Sequence, residues 1–249
     1  MKTIAVIPAR MGSSRFPGKP LAQLLGRPML EHVYKRVALS KTLSATYIAT
    51  CDEDIRLAAE NFGAHVIMTS DSHERASDRV AEAIADIDAD LIVMVQGDEP
   101  MTHPDMIDAA VAPFHNDLQL GCVNLVRKID NAADFQDTNT IKVVMNQLGD
   151  AIYMSRQPIP TLAKSGFAQT AAYKQVCIIP FRRAMLHQYM RLSATPLEQL
   201  ESVDMMRLIE HGYRVKMIHT TFDTQAVDTE ADLLRVAKLM EADPLLAAY

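Results

Sequence analysis

The chain opens on a short apolar, β-branched run at residues 3–7, closed by Pro8, which predicts a buried strand. A long loop follows at once. Pro28 stands where a first helical turn tolerates proline, and Met29, Leu30, Val33 and Val37 recur at helical spacing. The alternation continues with a strand at residues 45–50 and a helix that Asp52 is placed to cap and Gly63 to end. A strand at 65–68, a helix at 77–87 and the unbroken apolar run Leu91-Ile92-Val93-Met94-Val95 come next. A run apolar at every position predicts a strand buried on both faces, so the pattern as a whole predicts an α/β fold whose mostly parallel sheet is covered by helices on both sides.

From about residue 120 the rhythm loosens. Residues 121–126, 140–146, 151–155 and 173–181 read as strands without long helices between them, which favours antiparallel pairing. Helical patterns at 196–211 and 229–241 then flank a strand at 213–219, and Thr229-Glu230-Ala231-Asp232 carries a capping-box signature. Met205 and Met206 suit a core. No linker rich in Gly, Ser or Pro and no repeat interrupts the chain, so one domain over residues 1–249 is expected, with a smaller antiparallel arm inserted at about 120–190.

With 249 residues, 49% hydrophobic and 22% charged, the chain has the composition of a soluble globular protein and not of a disordered, collagenous or disulfide-stapled one. Twenty-five basic against 31 acidic residues leave a formal charge of −6, which excludes a field that gathers nucleic acid. Cys51, Cys122 and Cys177 lie far apart with no CxxC pair, so a reducing compartment is expected. The N-terminal apolar run is too short for a signal segment, and no stretch approaches 18 consecutive apolar residues, so a cytoplasmic protein with no membrane insertion is expected.

Glycine is scarce, 9 of 249 residues, yet Gly12, Gly18 and Gly26 all fall in the first 26. Two of them lie in Pro8-Ala9-Arg10-Met11-Gly12-Ser13-Ser14-Arg15-Phe16-Pro17-Gly18-Lys19-Pro20. This segment joins a first strand to a helix, where α/β folds place a nucleotide. Glycine amides approach phosphate oxygens closely, Arg10 and Arg15 supply guanidinium forks, and Lys19 supplies a point charge. The spacing is neither GxxxxGK[ST] nor GxGxxG.

Gln96-Gly97-Asp98-Glu99-Pro100 follows the most apolar strand. Asp98 is there a natural Mg²⁺ ligand, because Mg²⁺ takes one or two carboxylates with substrate phosphate oxygens; the plainer reading is a turn with a self-bonding Asp. Asp228 in Val227-Asp228-Thr229 has a plain reading too, as an aid to Thr229 in capping the last helix. His73, His103 and His187 have no second ligand at metal spacing. Glu198 and Glu201 read as a solvated helix face, with a place near a ligand pocket as the other reading.

The basic loop resembles the N-terminal signature of nucleotidylyltransferases that activate acidic sugars with CTP. Together with Met68-Thr69, residues 96–101, Ile141-Lys142-Val143-Val144, Tyr153-Met154-Ser155-Arg156, Thr195-Pro196-Leu197-Glu198 and Val227-Asp228-Thr229, it resembles the CMP-KDO synthetase (3-deoxy-manno-octulosonate cytidylyltransferase) family. The match runs in order over nearly the whole chain. That resemblance implies a Rossmann-like nucleotidyltransferase sheet and a reaction of CTP with a 2-keto-3-deoxy sugar acid, giving CMP-sugar and pyrophosphate for lipopolysaccharide biosynthesis.

It further implies that Arg10, Arg15, Lys19 and Asp98 are catalytic. Ala9, Arg10, Gly12, Ser13, Ser14 and Lys19 would line the CTP phosphates, and Ser77, Arg79 and Gln96 the base and ribose. Asp98 and Asp228 would hold Mg²⁺, with no protein general base assigned. Arg156, Gln175 and Asp204 would lie on the sugar side, and the arm would pair two copies as a homodimer.

Departures fall mostly in the sugar half. Where the family has Gly-Thr-Glu-Arg this chain has Ala76-Ser77-Asp78-Arg79, which keeps the hydroxyl, the acid and the Arg. The family's His-Leu-Gly-Ile-Tyr-Gly-Tyr strand becomes Gln175-Val176-Cys177-Ile178-Ile179-Pro180-Phe181, and its Glu-Gln pair becomes Asp204-Met205. Loss of polar groups that meet hydroxyls bears directly on specificity. The acceptor is therefore KDO or a relative such as 8-amino-KDO or a sialic-type nonulosonate; a silent CTP-binding homologue is the reading from outside the enzymes.

Overall fold

The computed structural model describes residues 1–12, 16–164 and 166–249. Among them, no helix is long and apolar enough to cross a membrane. The chain forms two compact units, Met1–Asp108 with Asp223–Tyr249, and Ala109–Phe222. The second is inserted in the sequence of the first and extends beyond residues 120–190 at both ends.

In the first unit, β1 (Thr3–Ala9) leads through the short strands β2 (Gln23–Leu24) and β3 (Arg27–Pro28) into α1 (Met29–Ala38). β4 (Ala45–Thr50), α2 (Glu53–Asn61), β5 (His65–Met68), α3 (Ala76–Ala83) and β6 (Leu91–Val95) follow, and α4 (Pro104–Val111) begins in this unit and ends in the second. The unit's parallel strands lie in the order β6-β1-β4-β5. The chain thus builds outward from β1 on one side and then returns to add β6 on the other. That reversal makes the carboxyl ends of β1 and β6 a topological switch point, where open α/β sheets bind ligands. Ile4 to Ile7 of β1 and all of β6 are buried, as their unbroken apolar runs predict.

β1 continues two residues beyond the predicted Ile7. Pro8 sits past the last β1–β6 rung, Val6 with Met94, so its missing amide proton interrupts no rung on that side. The sequence reading missed α4, although Met106, Ile107, Ala110 and Val111 bury one helical stripe behind Pro104.

The second unit contains β7 (Val123–Lys128), α5 (Ala132–Gln136), β8 (Lys142–Met145), β9 (Ala151–Ser155), β10 (Tyr173–Val176), β11 (Ile178–Arg182), α6 (Arg183–Arg191), α7 (Pro196–Glu201), α8 (Met205–Glu210) and β12 (Lys216–His219). Five of its strands form a sheet in the order β12-β7-β10-β8-β9, antiparallel except where β12 joins β7. Two predicted elements split. The strand at 173–181 breaks at Cys177, after the fully buried Asn124 amide takes the Val176 carbonyl at 2.7 Å. The helix at 196–211 becomes α7 and α8 because Ser202 adopts a left-handed conformation, φ 52 and ψ 51. Met205 and Met206 are core residues. The last helix, α9 (Glu230–Met240), belongs to the first unit.

Candidate active site

β1 delivers the chain to the switch point at Ala9, which is buried, and Arg10, which is exposed. The loop that follows is fastened at its neck. Met11 donates its amide proton to Asp52 Oδ2 at 2.8 Å, and its carbonyl accepts from the Gly18 amide at 3.2 Å. Gly18 takes φ +71, a conformation that costs a side-chain-bearing residue but not glycine, and turns the chain so that Lys19 opens a one-turn 3₁₀ helix. Gly12 is exposed, with nothing within 4 Å of the place a Cβ would take, so that backbone is open to a ligand. Ser13, Ser14 and Arg15 lie outside the described residues.

Asp52 is a correction to the sequence reading. It stands at the N-cap of α2, but its side chain makes no cap bond; it reaches back to the loop instead.

Asp98 leaves the end of β6 through Gly97. A Cβ at position 97 would stand 3.3 Å from the Pro8 carbonyl, 3.4 Å from Ile7 and 3.5 Å from Leu30, so glycine lets the two strand ends approach closely. The Asp98 carbonyl accepts the Val227 amide proton at 2.9 Å, and Val227 is anchored in a cluster with Leu24, Met29, Val236 and Met240. Asp228 therefore emerges beside Asp98. The α9 capping box is formed by Thr229 and Asp232, as predicted, and Asp232 also accepts from the Asp228 amide at 3.2 Å. Asp228 turns its own carboxylate elsewhere. Lys19 Nζ donates to Asp98 Oδ2 at 2.8 Å and to Asp228 Oδ1 at 3.4 Å. Three residues separated by up to 209 positions thus meet at one ammonium, with side chains only 14 to 27% exposed.

Among the described residues no group of three or more His, Cys, Asp or Glu gathers to hold a metal. Two converging carboxylates nevertheless fit Mg²⁺, which completes its shell with phosphate oxygens and water.

Ser77 is fully buried in the first turn of α3, with Oγ 3.8 Å from Met94 Sδ. Arg79 is nearly as buried and donates to Thr69 Oγ1 at 2.5 Å and to the Ser70 carbonyl at 3.2 Å, which braces the turn after β5. Gln96, half-buried, is the first residue beyond β6.

In the second unit, Arg156 donates through its side chain to the carbonyls of Glu201 (2.8 Å), Thr138 (3.1 Å) and Ser202 (3.4 Å). Gln175 Nε2 donates to Asn124 Oδ1 at 2.6 Å. Asp204 stands at the N-cap of α8 without capping it through its side chain. The expected solvated face of α7 is corrected. Glu198 is fully buried and paired with Arg207 at 2.7 Å, and the Arg207 guanidinium lies 4.3 Å from the Tyr189 ring centroid. Glu201 accepts from Tyr153 and Ser155 hydroxyls, each at 2.7 Å, and from the Arg156 amide at 2.8 Å. Burial pushes the Glu201 carboxyl up, but these donors outweigh it and hold it below the ordinary range. The buried Lys142 ammonium donates to the carbonyls of Asp137, Thr140 and Arg156 at 2.5 to 2.7 Å; burial draws its pKa down.

Sequence reasoning missed Asp52, Glu201 and Lys142 as organising residues. Helix periodicity pointed Glu201 to solvent, and no local pattern marks the distant partners of the other two.

The family model described as cytidylyltransferase matches residues 4–218. The 3-deoxy-manno-octulosonate cytidylyltransferase of Geobacter metallireducens is 42% identical over 247 residues, covering 96% of this chain and 97% of its own. Its namesake from Solibacter usitatus is also 42% identical, covering 98% and 96%. Among solved structures, CMP:2-keto-3-deoxy-manno-octonic acid synthetase complexed with CTP is similar at a TM-score of 0.90 and 36% identity, covering 97% of this chain and 99% of its own. A 4-diphosphocytidyl-2C-methyl-D-erythritol synthase from Anaerococcus prevotii, 14% identical with a TM-score of 0.65, shares the fold. With near-complete matches at this identity, on a fold that sets Lys19, Asp98 and Asp228 together at the switch point, the chain belongs to the 3-deoxy-manno-octulosonate cytidylyltransferase family.

Proposed function

We propose that this protein transfers the cytidylyl group of CTP to KDO, giving CMP-KDO and pyrophosphate. The observation that carries the reading is the meeting of Lys19 with Asp98 and Asp228 at the mouth of the basic loop. The anomeric hydroxyl attacks the α-phosphorus in line and gives up its proton to solvent, the bond to the bridging oxygen breaks, and pyrophosphate departs with the electron pair. Transfer of this type depends on positioning and charge stabilisation. Arg10, Arg15 and Lys19 meet the triphosphate, the open backbone at Gly12 with Ala9, Ser13 and Ser14 lines it, and Gln96 with the segments braced by Ser77 and Arg79 borders the nucleoside.

Asp98 and Asp228 would hold a divalent cation, Mg²⁺, whose charge offsets that building on the phosphates and lowers the pKa of the attacking hydroxyl. No side chain is assigned as general base. Arg156, Gln175 and Asp204 serve the sugar acid, whose carboxylate suits a guanidinium fork. We place the reaction in the cytoplasm, with two copies paired through the inserted unit and the product destined for lipopolysaccharide.

A related acid such as 8-amino-KDO or a nonulosonate is the second reading. It is favoured by β10 and β11, where Gln175 is tied to Asn124 and where Ile178, Ile179 and Phe181 are buried apolar side chains. Pyrophosphate release from CTP, ATP, GTP and UTP, each with KDO, 8-amino-KDO and N-acetylneuraminate, tests both readings. CTP with KDO is expected to be the best pair. Preference for another acid would move the assignment to the second reading, and no release with any acid would leave a silent nucleotide binder.

A further inference from the structure

We infer that Lys19 is an internal counter-ion, holding the position between Asp98 and Asp228 until nucleotide arrives and then turning its ammonium to pair with the triphosphate. Cation and CTP are thereby coupled. The inference deepens the transfer reading and rests on it.

The two carboxylates are brought together by backbone, not by attraction. The Val227 amide fastens to the Asp98 carbonyl, and the capping box of α9 fixes the residue after Asp228. Like charges held this way in a partly shielded place require a cation between them. Lys19 supplies it with one ammonium, donating at 2.8 Å and 3.4 Å. A divalent ion binding the same oxygens at about 2.0–2.1 Å would occupy the volume of that ammonium, so the two cannot be present together.

The lysine backbone is set and the side chain alone can leave. Gly18 precedes it in a left-handed turn, the Leu21 amide donates to the Gly18 carbonyl at 3.0 Å, the Ala22 amide donates to the Lys19 carbonyl at 3.1 Å, and Pro20 is buried. From that fixed base the flexible stem brings the ammonium to the carboxylates, and the same stem leaves it free to exchange them for phosphate oxygens. Without an anion in the loop, displacing the ammonium exchanges one cation for another and leaves a positive charge unpaired. With a triphosphate there, the displaced ammonium gains a new partner, and each ligand favours the other by the same factor.

The test is Mn²⁺ binding to the full-length protein, read by electron paramagnetic resonance without nucleotide, for the wild type, Lys19→Met and Lys19→Met/Asp98→Asn. Removing the ammonium is expected to tighten Mn²⁺ binding about tenfold or more, within the usual span of coupling between sites, and Asp98→Asn is expected to abolish that gain. Lys19→Gln should tighten it in the same direction. Mn²⁺ should raise the Tm of Lys19→Met more than that of the wild type, because the variant has lost the ammonium that meets both carboxylates. Equal Mn²⁺ affinity in wild type and both Lys19 variants, raised alike in all three by α,β-methylene-CTP, would overturn the counter-ion role and leave the transfer reading standing. No Mn²⁺ uptake by any form even with the analogue would overturn both.

Discussion

Asp52 Oδ2 accepts the Met11 amide proton at 2.8 Å across 41 positions of sequence, from the N-cap position of α2. The bond holds the entry of the phosphate loop to the start of a helix packed in the first unit. Asp52→Ala is expected to raise the KM for CTP about tenfold, as loss of a hydrogen bond to a charged acceptor warrants, with a smaller change in kcat. Asp52→Asn keeps an acceptor oxygen and should recover most of the loss. Steady-state kinetics on both variants, with Tm measured alongside, check the anchor; an unchanged KM in Asp52→Ala contradicts it.

Asp98→Asn keeps the size of the side chain and halves the negative charge facing Lys19. A fall in kcat of about 10²–10³-fold is expected, the usual cost of removing one electrostatic stabiliser of a transition state. Asp228→Asn should behave alike. Pyrophosphate release at saturating CTP measures both, and full turnover by either variant would exclude that carboxylate from the reaction.

His32 ties stability to pH. It is fully buried, with Nε2 2.7 Å from the Leu24 carbonyl and Nδ1 2.9 Å from the Tyr249 hydroxyl, which also accepts from Arg36 Nε at 2.9 Å. The chain of bonds closes when Nε2 carries the only ring proton, donates it to Leu24, and Nδ1 accepts from Tyr249. Burial lowers the His32 pKa; the Leu24 bond and Glu31 oppose this, and Arg27 and Arg36 add to it. The unfolded chain therefore binds the extra proton first. The contribution is present above about pH 6.5 and is lost as pH falls through the folded-state value. Urea midpoints are expected to fall between pH 7 and pH 5, and His32→Gln should show a shallower fall; parallel slopes would contradict the assignment.

Arg207→Met leaves the Glu198 carboxylate buried without its partner. A loss of about 3–5 kcal/mol is expected, as when one member of a buried ion pair is removed. Glu198→Gln combined with Arg207→Met should restore part of it, since no charge is then stranded. Urea unfolding of the single and double variants decides; additive losses would mean that the pair is not the source.

The parts legible in sequence are those whose signal is local. Leu91 to Val95 is apolar at every position and forms β6 with the predicted bounds, and Thr229 with Asp232 forms the predicted capping box. Gly18 and Lys19 were read as a glycine and a cation of one basic loop, and the fold makes Gly18 the left-handed residue directly before Lys19. What stayed hidden depends on partners far along the chain. Asp52 is as good a helix cap as any, and only the return of the loop diverts it. Periodicity joined α7 to α8, because nothing near Ser202 shows that Glu198 and Arg207 must face each other across a break. α4 and α6 carry a local signal as well, since each buries residues at helical spacing. Asp98 and Asp228 were paired only by the family resemblance, and the Val227–Asp98 backbone bond explains why one ammonium serves both.

Cytidylyl transfer to KDO is tested most directly by the ³¹P spectrum of a reaction of CTP, Mg²⁺ and KDO labelled with ¹³C at its anomeric carbon, with purified protein. One phosphodiester signal coupled to the anomeric carbon of KDO, with one equivalent of pyrophosphate, is the expected result. Pyrophosphate with free CMP and no sugar nucleotide, or unchanged CTP under conditions where the protein binds it, would contradict cytidylyl transfer to KDO.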